Sequence, residues 1–475
     1  MRFLFLIPMT ALASSLSALT SDEAEARLRM AQQIARERND RDLVAQVEKL
    51  GREFKESLPA DADTRLREIE ASVGIDPGGW SMAGQPLFHP TAAMKAKQPE
   101  LNAKLAAAMQ SDDVSAVRAV TQEMLAVLGD QAGVPDGRRA GRKAGPRTLN
   151  EAEATKLFLE ALKSEGRAVR QLSEGKPLPD QMLRLYADVL NGTTIIRPFV
   201  EKHQPDSLRD LDRLANGVAT ILTTLQQPDG HFPFPDLRGK NIRFGDMIEK
   251  QMQAGKAEAK DGWIVTADPD GGSQFDTGVC GTALLLAGQL HGNEMWKQAG
   301  LKAANWALEQ KCCANFNYNA FSVSLLAHAF RVTGESKHLD GALRKFRVGV
   351  APGQAPNGRW LDAHNARTVY HLIILRALGD LGAALPTDRK DERAELDAVI
   401  KPALKALLDE FDAMGITVEA LPELQTLATL HPEDQRLRQA TKLMTGLVIG
   451  KCTDGSRVKM GTSAAQLAAT VRVKP

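Results

Sequence analysis

The sequence predicts an all-α protein whose main part is a ring of helical hairpins, and three observations predict it. The first is a turn written twice. Gln226-Gln227-Pro228-Asp229-Gly230-His231-Phe232 and Gln354-Ala355-Pro356-Asn357-Gly358-Arg359-Trp360 share the pattern Q-x-P-[DN]-G-[HR]-[FW]. Pro pre-sets the turn, Asp or Asn tolerates an unusual backbone, Gly supplies positive φ, and the aromatic side chain re-enters the core. The second is a set of three segments that align by their ends: Asp276–Gly292, Tyr318–Gly334 and His364–Gly379, each apolar and rich in small residues, as a helix covered on most sides is. The third is the amphipathic stretches between them, Met295–Gln310 and Ser336–Arg347, with Lys, Glu and Arg on one face. Inner apolar helices alternating with outer amphipathic ones, at roughly 40–50 residues per pair, imply a closed or curved ring.

Taken in order, the chain opens with Arg2, the apolar run Phe3–Met9 and small residues around Ala13 and Ala18. That is the pattern of a secretory signal over residues 1–18, too short to span a bilayer, and it predicts a periplasmic or secreted protein. Residues 19–132 read as a helical N-terminal region, charged and helically periodic over Glu23–Glu56, with a second helical pair over Leu101–Met109 and Ser115–Leu128. Residues 133–148 carry Gly, Pro and five basic side chains and read as a basic linker. Residues 149–475 hold the hairpins, with a long insertion, Pro233–Phe275, of the kind that forms lids and binding loops at a ring mouth.

These hairpins, with D-G-aromatic turns leading from outer to inner helix, resemble the α/α-toroid superfamily of six-hairpin glycosidases, polysaccharide lyases and terpenoid cyclase-like rings. The resemblance rests on Gln226–Phe232, Gln354–Trp360, Pro269-Asp270-Gly271 and Thr453-Asp454-Gly455, covers about Leu149 to Val473, and specifies architecture rather than a particular family. It implies a complete or incomplete α/α toroid. The D-x-D-D signature of terpene cyclases does not occur, nor does the Cys/His zinc pattern of the prenyltransferase-like rings.

If the inner helices run parallel, their N-termini crowd one rim. There the expected catalytic residues are Tyr318, His364, Asp276 and Asp362, and the expected substrate-binding residues are Asn319, Asn365, Arg359, Trp360, His231 and Asp270. Helix N-termini favour anionic groups, aromatic faces stack on sugar rings, and carboxylates and amides bind hydroxyls. The plainer role is in the same residues: Asp276, Asn319 and Asn365 are good helix caps, Trp360 and Phe232 plug their turns, and His328 suits a hydrogen-bonded core histidine. Asp268 and Asp270 suit turn chemistry better than calcium.

Lys plus Arg (60) nearly equals Asp plus Glu (59), so no overall field steers the chain to nucleic acid or anionic lipid. Cys280, Cys312, Cys313 and Cys452 allow one or two disulfides in an oxidising compartment, or buried thiols; no C-x-x-C spacing supports zinc, and no metal or cofactor is expected. Two reaction classes fit. A lyase on an acidic polysaccharide would use Tyr318 or His364 as base, with Asn319, Asn365 and Arg359 on the carboxylate. A glycoside hydrolase would use paired carboxylates, Asp276 with Asp362 or Asp270. The rival class is a non-catalytic periplasmic binding or scaffold protein that uses the ring for docking.

Overall fold

The computed structural model describes residues 40–72, 90–137, 147–240, 242–266, 271–453 and 462–472, with scattered positions between 24 and 36 and at 87, 88, 141, 142 and 145. The expected signal segment, Asp268, Asp270 and the Asp454-Gly455 turn lie outside them. The chain divides into two units, residues 1–78 and 79–475.

In the first unit, α1 (Arg41–Glu56) is capped by the Asp40 carboxylate, which accepts from the Leu43 amide at 3.0 Å. It buries Leu43, Val47, Leu50 and Phe54, one helical stripe. After it comes α2 (Ala62–Ser72), whose Asp63 and Glu70 both receive the Arg27 guanidinium, at 2.6 and 2.7 Å.

The second unit begins with a helical pair, α3 (Ala92–Ser111) and α4 (Val114–Leu128), so the expected N-terminal region is shared between the two units. The expected linker is docked along its described length. The Gly133 amide donates to Leu361 O (3.1 Å), the Asp136 amide to Ala363 O (3.2 Å), and Arg142 forms a backbone bridge with Ile416. Gly141 is required by close approach, since a Cβ there would lie 2.0 Å from Met414 O. At Gly141 the missing side chain lets backbone meet backbone.

The ring follows. Its outer helices are α5 (Glu151–Ser164), α8 (Leu208–Leu225), α11 (Glu294–Glu309), α13 (Ser336–Gly349), α15 (Lys390–Met414) and α17 (Gln435–Thr453). Its inner helices are α7 (Leu183–His203), α10 (Gly272–His291), α12 (Phe316–Thr333), α14 (Thr368–Ala384), α16 (Leu421–Leu430) and α18 (Thr462–Arg472). A short α6 (Gly166–Ser173) joins α5 to α7. Each inner helix packs on the next, and α18 packs back on α7, so among the described residues the six hairpins close on themselves: the fold is an α/α toroid. An inner helix has two inner neighbours and an outer partner, which is why its sequence is apolar nearly all round. In the first long insertion, β1 (Phe234–Pro235), α9 (Ile242–Gln253), β2 (Ala257–Lys260) and β3 (Trp263–Thr266) form a small antiparallel sheet in the order β1-β3-β2, over a core of Leu237, Ile248 and Ile264.

The twice-written turn has the same anatomy in both copies. The Gln226 amide donates to Gly230 O and to Ala299 O on α11, each at 2.9 Å; the Gln354 amide donates to Gly358 O (3.1 Å) and to Val399 O on α15 (2.9 Å). Each turn is thereby clipped to the next outer helix. Gly358 has φ +82°, and a Cβ on it would lie 2.2 Å from Pro402 O. Gly358→Ala is expected to cost about 3 kcal/mol, the left-handed penalty added to the clash, read as a lowered urea midpoint at unchanged slope.

None of the four cysteines is disulfide-bonded, so of the states the sequence allows the thiols are free; Cys280, Cys312 and Cys313 are buried and Cys452 half-buried. Burial raises the Cys280, Cys312 and Cys452 thiols, which keeps them protonated and unreactive. Among the described residues no helix is long and apolar enough to cross a membrane.

Candidate functional site at the rim and in the lumen of the ring

The parallel run of inner helices gathers their N-terminal ends at one rim. Arg184, in the first turn of α7, reaches Asp276 in the second turn of α10, with Nε to Oδ1 and Nη2 to Oδ2 both 3.1 Å. The guanidinium lies 3.9 Å from the Phe275 ring centre and 5.9 Å from that of Phe234 on β1. Phe275 stacks on Phe321 at 4.1 Å and on Tyr318 at 6.1 Å. His364, in the loop before α14, lies against Tyr370 at 4.0 Å between ring centres. Tyr318, Asp276 and, through Tyr370, His364 thus border one aromatic rim. Burial raises the Tyr318 hydroxyl above its usual value, with nearby Arg184 opposing.

The other expected residues are engaged in holding loops. Asp276 is not a cap, because α10 begins at Gly272; it is buried as the partner of Arg184, and burial raises its carboxyl while the guanidinium pulls it back. The Asp362 carboxylate accepts from the Asn365 amide and from Asn365 Nδ2, both at 2.8 Å, and burial raises it. Asn365 also accepts from Asn317 Nδ2 (2.6 Å) and donates to Asn315 Oδ1 (3.2 Å), tying this loop to α12. Asn319 accepts from the Cys313 amide (2.9 Å) and donates to Cys313 O and Gly349 O (2.8 Å each), so its side chain is spent on backbone. Arg359 points outward, to Ala366 O (2.7 Å) and Glu410 on α15. Trp360 is fully buried, its indole N–H donating to Val350 O at 3.0 Å. His231 is buried against Trp306, with Nδ1 2.6 Å from Asp229. His371 faces α15 through Ala403 O (2.8 Å), and burial lowers it to about 3.

Beneath the rim the ring encloses charged side chains that the sequence search passed over. With a rise of about 1.5 Å per residue, Arg376 and Asp380 on α14 lie about 9 and 15 Å below Tyr370. Arg376 is deep inside the ring yet 48% exposed, which marks a solvent-accessible lumen rather than a packed core. Its Nη1 is 3.7 Å from Glu423 Oε1 on α16, and the charge of Asp188, one turn below Arg184, also reaches it. Asp380 Oδ2 accepts from Ser324 Oγ at 2.5 Å and lies 3.5 Å from His328 Nε2. His328, expected as a hydrogen-bonded core histidine, thus stands 3.5 Å from a lumenal carboxylate.

The two lumenal carboxyls are pushed apart. For Asp380 burial would raise the value, but His328, Arg376 and the Ser324 hydroxyl outweigh it and hold the group below the usual range. For Glu423 burial dominates, Arg376 offsets only part, and the charge of Asp380 adds to the rise. Glu423 Oε2 is buried and has no hydrogen-bond partner. One carboxyl inclined to hold its proton beside another inclined to stay ionised is the arrangement acid–base catalysis uses. A signal for it stands in the sequence: Arg376 and Asp380 are the only Asp, Glu, Lys or Arg residues in α14, four apart in an otherwise apolar helix. Among the described residues no group of three His, Cys, Asp or Glu side chains is placed to hold a metal.

No protein-family model matches the chain, and no curated protein matches it. Among solved structures, cellobiose 2-epimerase from Spirochaeta thermophila superposes with a TM-score of 0.40 at 12% identity, over 74% of this chain and 96% of that one. A likeness of that size says nothing about chemistry; the ring is established by its own helix contacts.

Proposed function

We propose that the protein is an exported carbohydrate-active enzyme, a glycoside hydrolase whose reaction runs in the lumen. What supports this reading most is the lumenal cluster: Arg376, 48% exposed inside the ring, lies 3.7 Å from Glu423, and Asp380 follows one turn on along α14, with Glu423 shifted up and Asp380 down. Glu423 gives its proton to the glycosidic oxygen as the bond to the anomeric carbon breaks. Asp380 supplies the negative charge, either activating water or attacking the anomeric carbon; the hydrogen bond from Ser324, with His328 3.5 Å away, fixes its direction. The aromatic rim of Phe275, Phe321, Tyr318 and Tyr370, with His364 beside it, suits stacking against incoming sugar rings.

The lyase reading loses its parts. Arg359 is committed to Glu410 and Asn319 to backbone, which leaves the substrate carboxylate without two of the three groups expected to neutralise it. Incubating the purified protein with a panel of neutral, amino and acidic polysaccharides tests both. New reducing ends without the ultraviolet band of unsaturated uronates are expected. Appearance of that band assigns a lyase, and silence in both assays assigns a binding or scaffold protein.

A further inference from the structure

At the rim Arg184 pairs with Asp276, and Arg367, just before α14, pairs with Asp136. Of these, Arg184 is the one set over an aromatic ring, 3.9 Å from the centre of Phe275, and it is 29% exposed. A guanidinium presenting two parallel N–H groups beside an aromatic face is what a sugar carboxylate would seek, because the pair is bidentate and the ring takes the pyranose. Asp276 occupies both of those donors, with matched distances of 3.1 Å, and is itself only 5% exposed. The protein's own carboxylate stands where a uronate carboxylate would bind.

We infer that Asp276 is a specificity-determining residue, which turns the rim away from acidic glycans and toward sugars that bring no negative charge. This rests on the hydrolase reading of the same site. A uronate entering past Asp276 finds the Nε–Nη2 edge of Arg184 taken, and the carboxyls of Asp188 and Asp380 lie below it. A neutral oligosaccharide meets the same groups without charge repulsion. Nothing need move for this to work. The selectivity is set by which partner Arg184 already has.

The test is binding, measured by calorimetry on the whole chain with a matched pair of oligosaccharides, one of neutral hexoses and one of uronates of equal length. The wild-type protein is expected to bind the neutral member at least about tenfold more tightly. Asp276→Asn, which frees Arg184, is expected to narrow or invert that ratio by about tenfold through improved uronate binding. The double variant Arg184→Gln/Asp276→Asn removes the freed cation and is expected to lose the gain. Equal or tighter uronate binding by the wild type, a comparison that needs no variant, overturns the inference while leaving hydrolysis of whichever glycan is cut intact. Asp276→Asn that folds by circular dichroism yet shows no change in ratio overturns it as well. No binding of either oligosaccharide, joined with no product in the polysaccharide screen, removes the hydrolase reading and this inference together.

Discussion

In the proposed reaction, Glu423→Gln is expected to lower kcat by about 10²–10⁴-fold, with a much smaller change in KM. The substitution keeps the shape of the side chain and its place beside Arg376 and removes only the transferable proton. The pH profile gives the sharper check. The active form needs Glu423 protonated, and its folded value is raised, so activity should fall as pH rises through that raised value. It needs Asp380 ionised, and its value is lowered, so activity should fall on the acid side only as pH drops through that depressed value. A bell with a broad top follows. In Glu423→Gln the alkaline limb should disappear while the acid limb stays. Rates for a substrate with a good leaving group, which needs little protonation, should be nearly restored. Loss of both limbs, or equal loss for both leaving groups, would point to a structural role for Glu423.

Glu410→Ala is expected to destabilise the fold by about 3–5 kcal/mol, the cost of stranding a buried cation. The Arg359 and Glu410 side chains are 6% and 1% exposed. Glu410 also accepts from the hydroxyls of Thr368 (2.6 Å) and Thr417 (2.7 Å), so its removal leaves three donors short. A double replacement, Arg359→Met with Glu410→Leu, should recover much of the loss, since what is costly is the unmatched charge rather than the absence of the pair. Urea titration of the three proteins measures this. Because Arg359 also holds Ala366 O, the single variant should loosen the loop that carries His364, and activity should fall at temperatures well below unfolding.

The ring was legible because its punctuation is chemical. A turn of Pro, Asp or Asn, and Gly needs no tertiary context to be recognised, and both copies form the same clip. The apolar segments mark α10, α12 and α14, but their alignment by first residue was out of step. Asp276 lies inside α10, while His364 and Asn365 precede α14, because an Asp362–Asn365 turn comes before its start. The capping role expected of Asp276 and Asn319 fails for that reason, and the first is an ion partner while the second braces backbone. Arg359 and Trp360 looked like rim residues because they end a turn; their side chains go outward and inward to packing, where the turn's own geometry sends them. The lumen stayed hidden for a different reason. Arg376, Asp380 and Glu423 sit on helices whose composition says core, and only closure of six hairpins makes a face that is enclosed and wet together. The short sheet in the insertion was missed because its strands, of two to four residues, are too brief to show alternation.

Closure by α18 also fixes when the lumen can exist. That helix is made after the other five inner helices, and it is the one that joins α16 to α7. Before it packs, the chain is an open arc whose two end hairpins each lack a neighbour, and Asp188, Arg376 and Glu423 belong to no enclosed space. In the proposed reaction the site is therefore a property of the complete circle rather than of any one helix in it.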